Sequence, residues 1–217
     1  MVSIDKQGIL IYDHDQITEP VVIQANYLAS KQDDSRVDDA INLWTGLMPC
    51  NHGTPPCSHT EIGFWVEDEL WFFSSTSRKE LGNGSLKKNG TRWIRANELL
   101  RNPDRWLLQE KSTFTLSTSH AIVFKIGRAN ILLDNTYDFY GVFADFINPV
   151  RLFLGRELTN DEIKVLKKIY CSKAVHLVDT GWLKVMSPKH RYLVALALGY
   201  KDIDNTELYL MRKGVIK

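Results

Sequence analysis

Cysteine is scarce in this chain. Only Cys50, Cys57 and Cys171 occur among 217 residues, an odd, low count that does not make a disulfide framework. Long apolar runs are missing as well. No stretch reaches the ~18 residues that a membrane-spanning helix needs. Charge of one sign is missing too. Lys and Arg number 27 against 26 Asp and Glu, so the net field gives no pull toward nucleic acid or a lipid surface. There is no internal repeat and no low-complexity tract. The opening "MVSIDKQGILIYDHD" carries an early acid and a very short apolar run, and does not read as a secretory signal. "LGNGSLKKNG" lacks the spacing of a phosphate loop. These absences lead us to expect a cytoplasmic chain with reduced thiols, no nucleic-acid partner, no membrane span and no cofactor.

What is present suits one domain over residues 1–217. Apolar residues make up 44%, enough for a sizeable core. "ILIY" and "VVIQANYLA" read as strands from their Val, Ile and Tyr content. "QDDSRVDDAINLWTG" reads as a short helix that Ser35 could cap. "MPCNHGTPPCS" is a loop, from Gly53, Pro55 and Pro56. "HTEIGFWV" and "ELWFFSST" flank "ED" as an antiparallel hairpin. "RKELGNGSLKKNGTR" is a turn-rich excursion, and "STFTLSTSHAIVFKIG" reads as another strand from its Thr and Phe alternation.

Helices dominate the second half. "NTYDFYGVFADFIN" mixes aromatic and small residues at helical spacing. "LTNDEIKVLKKIYCSKAVHLVDTG" reads as one helix, with Thr159 or Asn160 as cap and Gly181 as stop. "SPKHRYLVALALG" takes Ser187 as cap, Pro188 at the first helical position and Gly199 at the end. His190 falls on its exposed side. The Phe72–Phe73 and Phe139–Tyr140 pairs read as core. Strands first and helices later imply an α+β fold, with a mostly antiparallel sheet or partial barrel packed against helices.

Few residues offer chemistry. Cys171 follows Lys167 and Lys168, and cations favour a thiolate. A break before Ile169 would put Cys171 in a helix's first turn, where backbone N–H groups and the dipole act the same way. His59 opens a strand after a stiff loop, so its ring can stand at a sheet rim. Glu61 lies two residues on, on the same side and roughly 6.6 Å along the strand. It could orient the imidazole. A second set overlaps this one: Cys50, His52, Cys57 and His59 are an acceptable zinc quartet, and zinc on His59 would exclude it as a base.

The order of these segments resembles the circularly permuted NlpC-type, papain-like superfamily, to which the lecithin–retinol acyltransferases are related. The likeness rests on Ser58–Ile62, Phe73–Thr76, Tyr137–Gly141, Tyr170–Ser172 and Ser187–Pro188, within residues 35–200. In that group the histidine strand precedes the cysteine helix. The resemblance implies a permuted papain-like fold with Cys171 as nucleophile and His59 as base. It puts the residue that orients the histidine at or next to Ser74, with Glu61 or Ser75 as substitutes. It implies a thiol hydrolase or acyltransferase acting on an amide- or ester-containing substrate. Lys173 stands where many relatives carry an acid after Cys-Ser. A non-catalytic binding or regulatory protein on the same scaffold, and a small zinc-organised domain, remain the alternatives.

Overall fold

A computed structural model describes residues 2–13, 17, 21–28, 55–77, 90–112, 118–138, 140–142, 144 and 155–217. The strands are β1 (Ser3–Ile4), β2 (Leu10–Ile11), β3 (Val21–Leu28), β4 (Cys57–Val66), β5 (Glu69–Thr76), β6 (Gly90–Arg95), β7 (Trp106–Ser112), β8 (Thr136–Tyr137), β9 (Gly155–Glu157), β10 (Lys168–Ile169), β11 (Trp182–Lys184) and β12 (Lys201–Asp202). The helices are α1 (Ala96–Leu99), α2 (Thr118–Ile131), α3 (Asn160–Lys164), α4 (Cys171–Thr180), α5 (Pro188–Ala197) and α6 (Thr206–Arg212).

Eight strands form one sheet in the order β10-β8-β6-β5-β4-β3-β7-β12, curled into a half-barrel. Every neighbouring pair runs antiparallel except β10 with β8. This is the expected α+β arrangement, a partial barrel packed against helices. Among the described residues no helix is long and apolar enough to cross a membrane.

The β4–β5 hairpin is the centre of the sheet and explains its own sequence. Glu67 and Asp68 both have positive φ, 49° and 63°. A two-residue turn of that hand matches the twist of paired strands. Both strands are buried along nearly their whole length. Ile62, Phe64, Trp71 and Phe73 belong to one apolar cluster, Trp65, Leu70 and Phe72 to a second. With both sides covered, the run is continuously apolar instead of alternating. The first cluster takes Ala174, Val175, Leu177 and Val178 from α4. Full burial of each Val or Leu contributes about 1.5–3 kcal/mol, which seats the cysteine helix on β4 and β5.

Several readings need correction. The segment read as a strand over 112–127 is not one from Thr118 onward. From Thr118 the chain is α2, because Ile122, Ile126 and Ala129 recur at helical spacing and all enter the main core. Residues 113–117 lie outside the described residues. The single helix read over 158–181 is three elements, α3, β10 and α4. Ile169 pairs with Tyr137 and is buried, so sheet pairing outweighs helix continuity there. Thr136 and Tyr137 are strand, and only Tyr140–Val142 and Ala144 of that segment are described as helical.

The turn-rich excursion ends in strand, since Gly90, Thr91 and Arg92 belong to β6. Cys57 and Ser58 already belong to β4 instead of the preceding loop. Phe72 and Phe73 are core, but Tyr140 is exposed, and Phe139 lies outside the described residues. A further helix, α6, follows the one capped by Ser187. The helix read at 32–46 also lies outside the described residues. Thr159, Gly181 and Ser187 cap as expected, Thr159 through a reciprocal box with Glu162.

Candidate active site

β4 carries His59 and Glu61 two positions apart, so both side chains leave the same side of the strand. They are 3% and 0% exposed. His59 Nε2 donates to Glu61 Oε1 at 2.7 Å. The strand spacing is spanned by the two side chains leaning together. The ring also lies within hydrogen-bond reach of the Cys171 thiol.

Cys171 arrives from the other end of the chain. It is the first residue of α4, with Tyr170 in extended conformation as the N-cap. Its place is set by the two residues before it. β10 pairs in parallel with β8. The Ile169 carbonyl accepts from Asp138 N at 3.3 Å and from Ser75 Oγ at 2.7 Å. Ser75 on β5 thus ties the approach to the thiol directly to the hairpin that bears the histidine. On the far side, Ser172 Oγ donates to the Met186 carbonyl. A narrow cleft beside the sulfur is walled by Tyr137, Val142, Tyr170, Met186 and Pro188. Its lining is apolar, and Lys173 stacks on the Tyr170 ring 4.6 Å from the centroid.

The electrostatics reinforce the contacts. Burial alone would push the His59 imidazole down. The Cys171 charge, the hydrogen bond to Cys171, and Glu61 overcome it and hold the imidazole up at about 9. Burial would likewise raise the Glu61 carboxyl, but Arg92 and His59 outweigh it and keep it below the usual carboxylate value. Arg92 grips Glu61 with two parallel bonds, Nη1 to Oε2 at 2.9 Å and Nη2 to Oε1 at 2.6 Å. Such a fork is the strong form of the ion pair.

Of the sequence candidates, the fold brings Cys171, His59 and Glu61 together. Ser74 does not reach the ring; its hydroxyl donates to the Thr60 carbonyl at 2.7 Å. Of the zinc quartet, Cys50 and His52 lie outside the described residues. Cys57 is fully buried, and burial pushes its thiol up to about 12. His59 is engaged as above. Among the described residues no three His, Cys, Asp or Glu side chains cluster as metal ligands.

His190 is half-buried and not exposed, with Nδ1 3.0 Å from Ser187 Oγ. Arg92 went unread in the sequence, and Ser75, expected as a substitute orienter of the ring, instead tethers the Ile169 carbonyl. A cation in the middle of "GTRWIR" does signal a buried partner, but the partner's identity needs the strand register.

A second buried network holds α4 from behind. Asp179, in its last turn, accepts from Arg191 Nη2 and from Lys125 Nζ, each at 2.6 Å. A third runs along the sheet, where Gln24, Asn26, Thr60 and Gln109 share hydrogen bonds and Gln109 passes on to Asp202. Thr60 lies between His59 and Glu61 in an extended strand, so this network faces the opposite way.

Comparison with known proteins returns no matching family model, no matching curated protein and no matching solved structure. The chemistry must therefore be read from the site itself.

Proposed function

We propose that the protein is a cysteine-dependent hydrolase or acyltransferase acting on an amide, ester or thioester carbonyl. The observation that carries this reading is the contact of His59 with Cys171 at a helix start, with Glu61 bonded to the far side of the ring. The arrangement of nucleophile, base and orienting acid is the cysteine form of a catalytic triad. The resemblance to the permuted papain-like superfamily, with histidine strand before cysteine helix, points the same way.

In this reading the resting pair is thiolate and imidazolium. The sulfur attacks the carbonyl carbon, and the π pair moves to the oxygen. Backbone N–H groups in the first turn of α4 point out of the helix and receive that oxyanion. As the intermediate collapses, His59 gives a proton to the departing amine, alcohol or thiol. Water, or an acceptor nucleophile, then loses a proton to His59 and attacks the thioester. The acyl group leaves and the ion pair is restored. The apolar cleft beside the sulfur would limit the access of water to the reacting atoms.

Alkylation by iodoacetamide at pH 6, mapped by mass spectrometry, tests the nucleophile without a known substrate. Cys171 should label at least about tenfold faster than buried Cys57, and His59→Ala should abolish the difference. A panel of activated esters and fluorogenic peptides then tests turnover. If Cys171→Ala and His59→Ala leave turnover unchanged, the reading is wrong. An unreactive Cys171 in folded protein would favour a binding scaffold.

A further inference from the structure

The dyad is backed by an ion pair that catalysis does not by itself require. Arg92 and Glu61 are 3% and 0% exposed, so both charges are out of water. Such a pair stabilises a fold weakly, since desolvation offsets most of the attraction. A buried pair next to a reactive site therefore calls for another role.

We propose that Arg92 is a positioning residue whose guanidinium clamps Glu61, so that one carboxylate oxygen is held on His59 Nε2 and the ring is turned to Cys171. This rests on the thiol-enzyme reading above. The geometry is specific. Glu61 Oε1 is shared between His59 Nε2 and Arg92 Nη2, while Oε2 takes Nη1. A planar fork fixes both oxygens, hence the plane of the carboxylate and the bearing of the ring. An unclamped carboxylate in the same apolar setting would take up a proton and lose its hold as an anion.

Arg92 is placed by register alone. On β6 it lies opposite Ser74 on β5, and Ser74 is small enough to leave the path to β4 open. Among the described residues, the charges at this site belong to the site itself. The charges that act on His59 are Cys171 and Glu61, and those on Glu61 are Arg92 and His59. From β3, Tyr27 lies opposite His59 and Ala25 opposite Glu61. From α5, Lys189 acts on Cys57.

The test follows the His59 ring by NMR titration and the Cys171 iodoacetamide rate against pH. Denaturation by urea is measured alongside. Losing an anion at hydrogen-bond distance moves a neighbouring ionisation by about 1–3 pH units. Arg92→Met should therefore lower the His59 midpoint and cut alkylation at pH 6 by about tenfold or more. Arg92→Lys, with the charge but not the fork, should recover part of both. A folded Arg92→Met protein with the wild-type midpoint and rate profile overturns the proposal.

Where Arg92→Met does not fold, Glu61→Gln and Glu61→Gln/Arg92→Met are compared, the latter holding neither charge. If Arg92 acts only through Glu61, the two share one His59 midpoint; different midpoints overturn the proposal. If Cys171 in the wild type is inert while the His59 midpoint still follows Arg92, the clamp stands and the thiol-enzyme reading falls.

Discussion

Replacing Asp179 by Asn should loosen α4, the helix that carries Cys171. Asp179 is buried, and its carboxylate holds Arg191 from α5 and Lys125 from α2, each at 2.6 Å. Arg191 is fully buried. Breaking a buried pair from one side costs about 3–5 kcal/mol, since the other charge stays without compensation. Asn keeps the shape and one acceptor, which favours the lower end, ~3 kcal/mol. That is a large share of the 5–15 kcal/mol typical of a domain. The urea midpoint should fall by about 1 M or more.

The pH dependence has a definite sign. Burial alone would raise the Asp179 carboxyl, but Arg191 and Lys125 hold it far below its ordinary value of 3.8. A folded-state value below the unfolded one stabilises above the unfolded value and is lost as pH falls. The gap between wild type and Asp179→Asn should be full at pH 7 and shrink below about pH 4. Urea melts followed by circular dichroism at both pH values read this out. A variant within ~0.5 kcal/mol of wild type at pH 7 would refute the reasoning, because that is the range of an inconsequential surface change.

Two other substitutions probe the approach to the site. A Cβ on Gly90 would lie 2.1 Å from the Asn135 carbonyl oxygen, and backbone cannot swing aside. Gly90→Ala should push β8 away from β6, costing about 1–3 kcal/mol, and should slow Cys171 alkylation because β8 supports β10. A wild-type melt would refute it. Ser187 accepts from His190 N at 3.2 Å as the cap of α5. Ser187→Ala should cost about 1 kcal/mol in thermal denaturation, with alkylation at Cys171 preserved.

Much of the frame was legible from residue order. Paired β-rich runs around "ED" dictate a hairpin, since turn residues and strand propensity act over a few positions. Thr159, Ser187 and Gly181 mark helix ends for the same reason. Local rules failed where distant partners decided. The strand reading extends the Thr and Phe alternation into residues 118–127, where Ile122, Ile126 and Ala129 recur at helical spacing and contact with the main core selects the helix. Lys168–Ile169 leaves the helical run because β8 offers a strand to pair with.

The sequence by itself determined which groups are available: a thiol after a pair of lysines, and an imidazole two positions from a carboxylate. Their chemistry is intrinsic to the side chains. Only the tertiary structure decided who meets whom. Curling the sheet brings β10 over β5, so that Ser75 seats the Cys171 helix against β4. Register across β4, β5 and β6 sends Arg92 to Glu61 and leaves Ser74 on a backbone carbonyl. Register is a property of the whole sheet, fixed by which faces must be buried, and no local stretch of this chain contains it.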